Sequence, residues 1–225
     1  MSKLVQELAQ DPIFASLPLA ELAELARLAL SRSFKKKEWI VHRGDIWPYF
    51  LWVERGKIVG LKESGGGRSL IATTILPQEN FWGLAFFQED MPMPVALVAE
   101  EDTQICLWSR QQFLPYLLKN GKMSWEFSRQ MVFRMQEASE IVESLAFHPV
   151  PGRLANLLLE RYSGSGDGPV ARDLTLDQMA AHIGSTREMV CRALYKFADD
   201  GAIKINRTEF IISDETQLGA IAHRD

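Results

Sequence analysis

Three side chains in this chain could read a base sequence: Arg187, Glu188 and Arg192, in the run Ser185-Thr-Arg-Glu-Met-Val-Cys-Arg-Ala-Leu194. On a helix Glu188 and Arg192 stand four apart and share a face, with Arg187 beside them on the first turn. A guanidinium can bond guanine O6 and N7 together, and a carboxylate can accept from cytosine N4. The same spacing also makes an ordinary ion pair on a solvated helix, so these residues alone leave the choice open. Catalytic and metal chemistry has less to build on. His42, His148, His182 and His223 are scattered, which argues against a β-barrel metalloenzyme, whose ligands must cluster. Cys106 and Cys191 are the two cysteines, too few for a disulfide framework or for a four-thiolate iron–sulfur or zinc site in one chain. An enzyme is not expected.

The stretch Leu174–Leu194 is predicted to place the polar triad on the second of two short helices. Leu176, Met179, Ala180 and Ile183 recur at helical spacing in the first helix. Gly184 supplies the turn. Ser185 or Thr186 caps the second helix, and Glu188 completes a capping box if Ser185 is the cap. The second helix is expected to bury Met189, Val190, Ala193, Leu194 and Phe197, which turns the triad outward. This is a helix-turn-helix with its polar residues where a recognition helix meets base edges. Gly201 ends the second helix, and residues 202–212 form a hairpin turning at Asn206–Glu209. Lys204 and Arg207 make that hairpin a basic wing suited to phosphate.

The rest of the chain must carry and pair this reader. At 225 residues and 47% hydrophobic content it suits one large or two modest domains with an ample core. No signal peptide opens it and no apolar run approaches a membrane span, so a cytoplasmic protein with no membrane partner is expected. The net charge of −4 gives no global nucleic-acid signature. Between Arg187 and Arg207, however, five basic residues face three acids, a local surplus of two. Residues 4–30 are predicted helical with a break at Pro18. Residues 34–110 alternate short apolar runs with turns at Gly44-Asp45, Arg55-Gly56-Lys57 and Gly65-Gly66-Gly67, an antiparallel sandwich or jelly roll. A helix then runs from about Gly121 to Phe147. Phe127, Met131, Met135, Ala138, Ile141, Val142 and Leu145 give it a broad apolar stripe that wants two neighbours, its own β-domain and the same helix of a second subunit. Arg134 falls in that seam and needs a partner. Pro149-Val-Pro151 marks a boundary before a helix at 152–162 and a loop at 163–169. The expected architecture is α+β, with a β-roll sensor over 1–120, a dimerisation helix over 121–148 and a winged helix-turn-helix over 149–225.

Phe14-x-x-Leu17, Gly44-Asp45, Gly56-Lys57 and above all Leu174–Leu194 with Asp199-Asp-Gly-Ala-Ile-Lys-Ile205 carry a resemblance over essentially the whole chain. It resembles the cyclic-AMP receptor protein and FNR (Crp/Fnr) family of bacterial transcription regulators. The resemblance implies a homodimer reading a pseudo-palindromic TGTGA-like site in double-stranded DNA and acting with RNA polymerase. Arg187 and Arg192 would meet guanines and Glu188 a cytosine. Thr186, Ser185 and Gln178 would contact phosphate beside Lys204 and Arg207.

The sensor half departs from that family. A cyclic-nucleotide pocket of this family carries Phe-Gly-Glu and, further along, an Arg-Ser pair. Here the first stretch is Phe81-Trp82-Gly83-Leu84-Ala85 and the second falls in Met91-Pro92-Met93-Pro94. Between Arg68 and Arg110 there is no Lys or Arg, while Glu79, Glu89, Asp90, Glu100, Glu101 and Asp102 are acidic. A buried phosphate without a cation is costly to desolvate, so cyclic AMP is not expected. Phe81, Trp82, Leu84, Phe86, Phe87, Met91 and Met93 either line a pocket for an apolar or aromatic effector or fill the vacated space. A haem sensor could draw on His42, His148, Cys106 or a methionine, but no axial pair is marked. Cys106 reads as inert core. Cys191 would sense oxidants only if exposed, and burial is its default. A β-barrel interaction module without DNA output is the remaining alternative, and the intact triad argues against it.

Overall fold

The computed structural model describes residues 2–163, 168–206 and 209–223. Its contacts divide the chain into two compact units, Met1–Lys62 with Ala72–Ala138, and Glu63–Ile71 with Ser139–Asp225.

The first unit opens with α1 (Lys3–Leu8) and α2 (Leu19–Leu28), joined by turns rather than by one helix broken only at Pro18. Of the leucines that recur through α2, Leu22 and Leu25 are buried and Leu19 is exposed. The strands that follow in the chain are β1 (Leu30–Phe34), β2 (Trp39–Val41), β3 (Tyr49–Arg55), β4 (Ile58–Glu63), β5 (Ser69–Ile75), β6 (Asn80–Trp82), β7 (Ala96–Ala99) and β8 (Thr103–Ser109), of which the last residue of β4 and the first three of β5 count with the second unit. They form two four-stranded sheets, β1-β8-β3-β6 and β2-β7-β4-β5, in which β8 pairs antiparallel with β1 and β3, β6 with β3, and β7 with β2 and β4. Interleaving of early and late strands makes this a jelly roll. Strand β3 is buried on both faces because each side of its sheet meets a core. One core, with Leu51, Val53, Ile58, Leu97 and Ile105, includes residues of both sheets. The other gathers Phe14, Phe50, Trp52, Trp108 and Phe113 with the helices. There Phe50 and Phe113 stack at 4.1 Å, and Trp108 Nε1 donates to Leu25 O at 2.7 Å, which gives the buried indole its partner. Gly56, at φ +85°, allows the β3–β4 turn, where a Cβ would stand 2.5 Å from Thr103 Oγ1. Helices α3 (Arg110–Lys119) and α4 (Gly121–Phe147) complete the run, α4 with the span read from sequence.

The second unit holds the end of α4, α5 (Val150–Tyr162), β9 (Val170–Ala171), α6 (Leu176–His182), α7 (Arg187–Asp199), β10 (Ile203–Ile205), β11 (Glu209–Ile212) and α8 (Glu215–Ala222). Its core is Leu154, Leu158, Met179, Val190, Leu194, Phe197 and Phe210 with Leu218. Strands β10, β11 and β9 form a small antiparallel sheet beside it.

Candidate nucleic-acid interface

Helix α6 starts at Thr175, whose hydroxyl accepts from Gln178 N while Gln178 Oε1 accepts from Thr175 N at 2.9 Å. That reciprocal pair satisfies two orphan N–H groups, a start signal that the apolar spacing of α6 does not carry. It also gives Gln178 a structural duty at the position expected to hold phosphate. Gly184, at φ +59°, makes the turn. Ser185 is buried and its N–H donates to Ala180 O at 2.9 Å. The cap of α7 is Thr186, whose Oγ1 accepts from Met189 N at 3.3 Å. Of the two caps the sequence allowed, Thr186 is the one used, so the capping box conditional on Ser185 does not form; Ser185 is folded into the turn one residue too early. As a phosphate contact Ser185 is poorly placed; Thr186 lies at the helix entrance.

Glu188 instead pairs with Arg192 at 2.8 Å, and Arg187 reaches Asp177 at 3.1 Å. The side chains of Arg187, Glu188 and Arg192 are 66%, 78% and 70% exposed. They share one side of α7, while Val190, Ala193, Leu194 and Phe197 are buried on the other. Met189, expected in the core, is half-buried. Cys191 and Tyr195 fall on the exposed side by helical spacing, so burial is not the state of Cys191, and the exposed Tyr195 was missed. Its place three residues beyond Arg192 could have marked it. A cavity of about 280 Å³ beside them is lined by Arg172, Leu176, Cys191, Tyr195 and Asn206 among others.

Helix α7 ends in a Schellman arrangement: Gly201 N donates to Ala198 O and Ala202 N to Phe197 O, with Gly201 at φ +79°. The wing follows as β10–β11, with Asn206 Oδ1 accepting from Glu209 N at 2.7 Å across its turn. Lys204 is exposed on β10. Arg207, expected beside it, lies outside the described residues, as does most of the 163–169 loop.

On α4 the structure separates residues that the stripe had grouped. Phe127 is buried in its own aromatic core, 4.6 Å from the Trp82 ring, and so is not available to a second subunit. Leu145 sits against the helix-turn-helix turn, where a Cβ on Gly184 would come within 2.8 Å of Leu145 Cδ2. Met131, Met135 and Val142 remain 43%, 68% and 66% exposed, with Ala138 exposed among them and Ile141 half-buried. Arg134 finds its partners in its own chain: Glu137 Oε2 at 3.0 Å, Thr73 Oγ1 at 3.3 Å and Glu79 Oε2 at 3.6 Å.

The seven candidate effector residues do not share one surface. Trp82 and Phe86 belong to the aromatic core, and Phe86 is 6.5 Å from the Phe127 ring. Met93 and Phe81 belong to the other core beside Trp47. Phe87 is exposed, and Leu84 and Met91 are half-buried. A Cβ on Gly83 would fall 1.8 Å from Trp47 O, so this turn is packed against the chain at Trp47. His42 stacks on Trp39 at 5.0 Å. Burial pushes the Cys106 thiol up to about 12, with Glu54 adding to the shift, so it stays protonated and inert.

A helix-turn-helix with a β-wing, in one chain with an antiparallel jelly roll, defines a DNA-binding transcription regulator with a cyclic-nucleotide-binding-type domain. Residues 152–221 match the Crp-like helix-turn-helix domain and residues 31–120 the cyclic nucleotide-binding domain. The chain belongs to the Crp/Fnr family of transcription regulators. It is 26% identical over 218 residues to the CRP-like cAMP-activated global transcriptional regulator of Mycobacterium tuberculosis, covering 94% of this chain and 96% of that one. It is 23% identical over 212 residues to the cyclic AMP receptor protein of Thermus thermophilus, covering 94% and 97%. Its fold is similar to a transcriptional regulator of the Crp/Fnr family from Eubacterium rectale, with TM-score 0.78 and 21% identity over 95% of this chain and 99% of that one. Among the described residues no helix is long and apolar enough to cross a membrane.

Proposed function

We propose that the protein is a homodimer that reads a pseudo-palindromic TGTGA-like site without cyclic AMP. Residues 1–120 serve as the sensor, 121–148 as the dimerisation helix and 149–225 as the reader, with RNA polymerase as the protein partner. The observation that carries the reading is the outward, solvent-held triad on α7. Arg187 and Arg192 take guanines, Glu188 takes a cytosine, and Thr186 and Lys204 take phosphates. Met131, Met135, Ala138 and Val142 supply the face for the second subunit.

Although two of the relatives above are named for cyclic AMP, this chain puts no cation between Arg68 and Arg110 to hold a cyclic phosphate. Trp47 and Met93 are instead buried together in one core of the roll, with Phe81 packed against it. These side chains support a filled roll over a single apolar effector pocket.

The test is Arg192→Ala in competition binding against duplexes differing in the half-site. Discrimination for TGTGA is expected to fall about fivefold or more while the dimer persists; unchanged preference contradicts the assignment. Cyclic AMP at millimolar concentration is expected to leave the melting temperature unaltered. A stabilisation of several degrees would show that the missing-cation reasoning is wrong.

A further inference from the structure

We propose that the cavity between the Asp11 turn, the β5–β6 turn and α4 is a binding site for a small organic cation carrying a primary ammonium group. The cavity is about 340 Å³, within the range of small-molecule sites. Three carboxylates line it, Asp11, Glu79 and Glu137, against one cation, Arg134. The Arg134 guanidinium is already engaged by Glu137, Glu79 and Thr73, so it is poorly placed to attract an anion. Asn80 also lines the cavity, and it is 2% exposed with no hydrogen-bond partner for its Oδ1. A buried acceptor left unpaired is destabilising, so this oxygen calls for a donor. The aromatic Phe133 stands on the same wall, and a ring face attracts cations. Unpaired acceptor, surplus negative charge and aromatic wall together fit an ammonium ion. Among the described residues no group of three or more His, Cys, Asp or Glu is placed to hold a metal ion, which favours an organic cation.

Asp11 is the titratable member. One of its oxygens accepts from Ile13 N at 2.8 Å, and burial, helped by Glu126 on α4, pushes its pKa up to about 6. Arg134 and Glu137 on α4 and Glu79 on the β5–β6 turn are the other charged groups of the cavity. Cation binding therefore weakens as pH falls below about 6. The site requires neither the DNA reading nor the dimer.

The experiment is calorimetric titration of the full-length protein with n-butylammonium and 1,4-diaminobutane. n-Butanol and butyrate serve as neutral and anionic isosteres. Saturable binding of the ammonium probes alone is expected, with the Asn80 side-chain amide resonances shifting in step. Glu79→Gln and Asp11→Asn are each expected to weaken binding about tenfold or more. Both variants keep a side-chain oxygen that can accept the bonds to Leu76 N and Ile13 N. Non-saturable binding, equal binding of n-butanol, or unchanged affinity in both folded variants overturns the proposal.

Discussion

Arg192 and its neighbours make only exposed contacts in the free chain, and this separates their part in folding from the reading role proposed for them. An exposed pair such as Arg192–Glu188 is worth about 0.3–0.5 kcal/mol, so Arg192→Ala leaves the melting temperature nearly unchanged. Each bidentate contact to a guanine is worth about 1–3 kcal/mol of discrimination, so Arg187→Ala and Arg192→Ala each lose about fivefold or more for the cognate half-site. A melting scan beside a competition assay checks both. The triad was legible because its spacing and solvent-facing chemistry are local. The cap was not: Ser185 and Thr186 carry the same hydroxyl, and only the backbone after Gly184 decides which one reaches Met189 N. Asp11 carried no sequence signal, because its burial depends on chain that arrives from far along the sequence. Its pKa is raised from 3.8 to about 6, so its contribution to stability is full below pH about 4 and is lost as pH rises through about 6. Asp11→Asn removes that cost and is expected to stabilise the fold at pH 7, by at most about 3 kcal/mol. Chemical denaturation at pH 5 and pH 7 checks this, with the larger gain expected at pH 7.

At the scale of elements, the two glycines of the reader make different demands. Gly201 sits at φ +79° with nothing within 4 Å of where a Cβ would stand, so Gly201→Ala costs only the left-handed backbone, about 1–2 kcal/mol. Gly184 combines φ +59° with a 2.8 Å approach to Leu145 Cδ2, so Gly184→Ala is expected to be the more destabilising. Equal losses in denaturant would contradict that ranking. Both turns were legible, since few residues other than glycine adopt this backbone routinely. The span of α4 was legible from its period as well. The neighbours of its stripe were not. Phe127 shares its spacing with Met131, and only the distant Phe50, Trp82 and Phe86 determine that it faces its own core. Phe81 and Trp82 go to different cores because neighbours on a strand, here β6, point to opposite faces of the sheet.

As a two-fold reader the molecule would depend on pairing, because one triad would give only half a palindrome. The exposed Met135 and Val142 on α4 each offer about 1.5–3 kcal/mol of burial, counted twice across a two-fold axis. Met135→Glu with Val142→Glu is expected to give a folded monomer by sedimentation, and a retained dimer would place the interface elsewhere. The central claim is tested most directly by fluorescence anisotropy of the full-length protein on duplexes carrying two TGTGA half-sites. The half-sites are centred about one helical turn, ~34 Å, apart. Tight binding without cyclic AMP is expected, lost when either half-site is scrambled or when the spacing is shifted by half a turn. Equal affinity for the intact, scrambled and shifted duplexes would contradict a two-fold reader built on Arg187, Glu188 and Arg192.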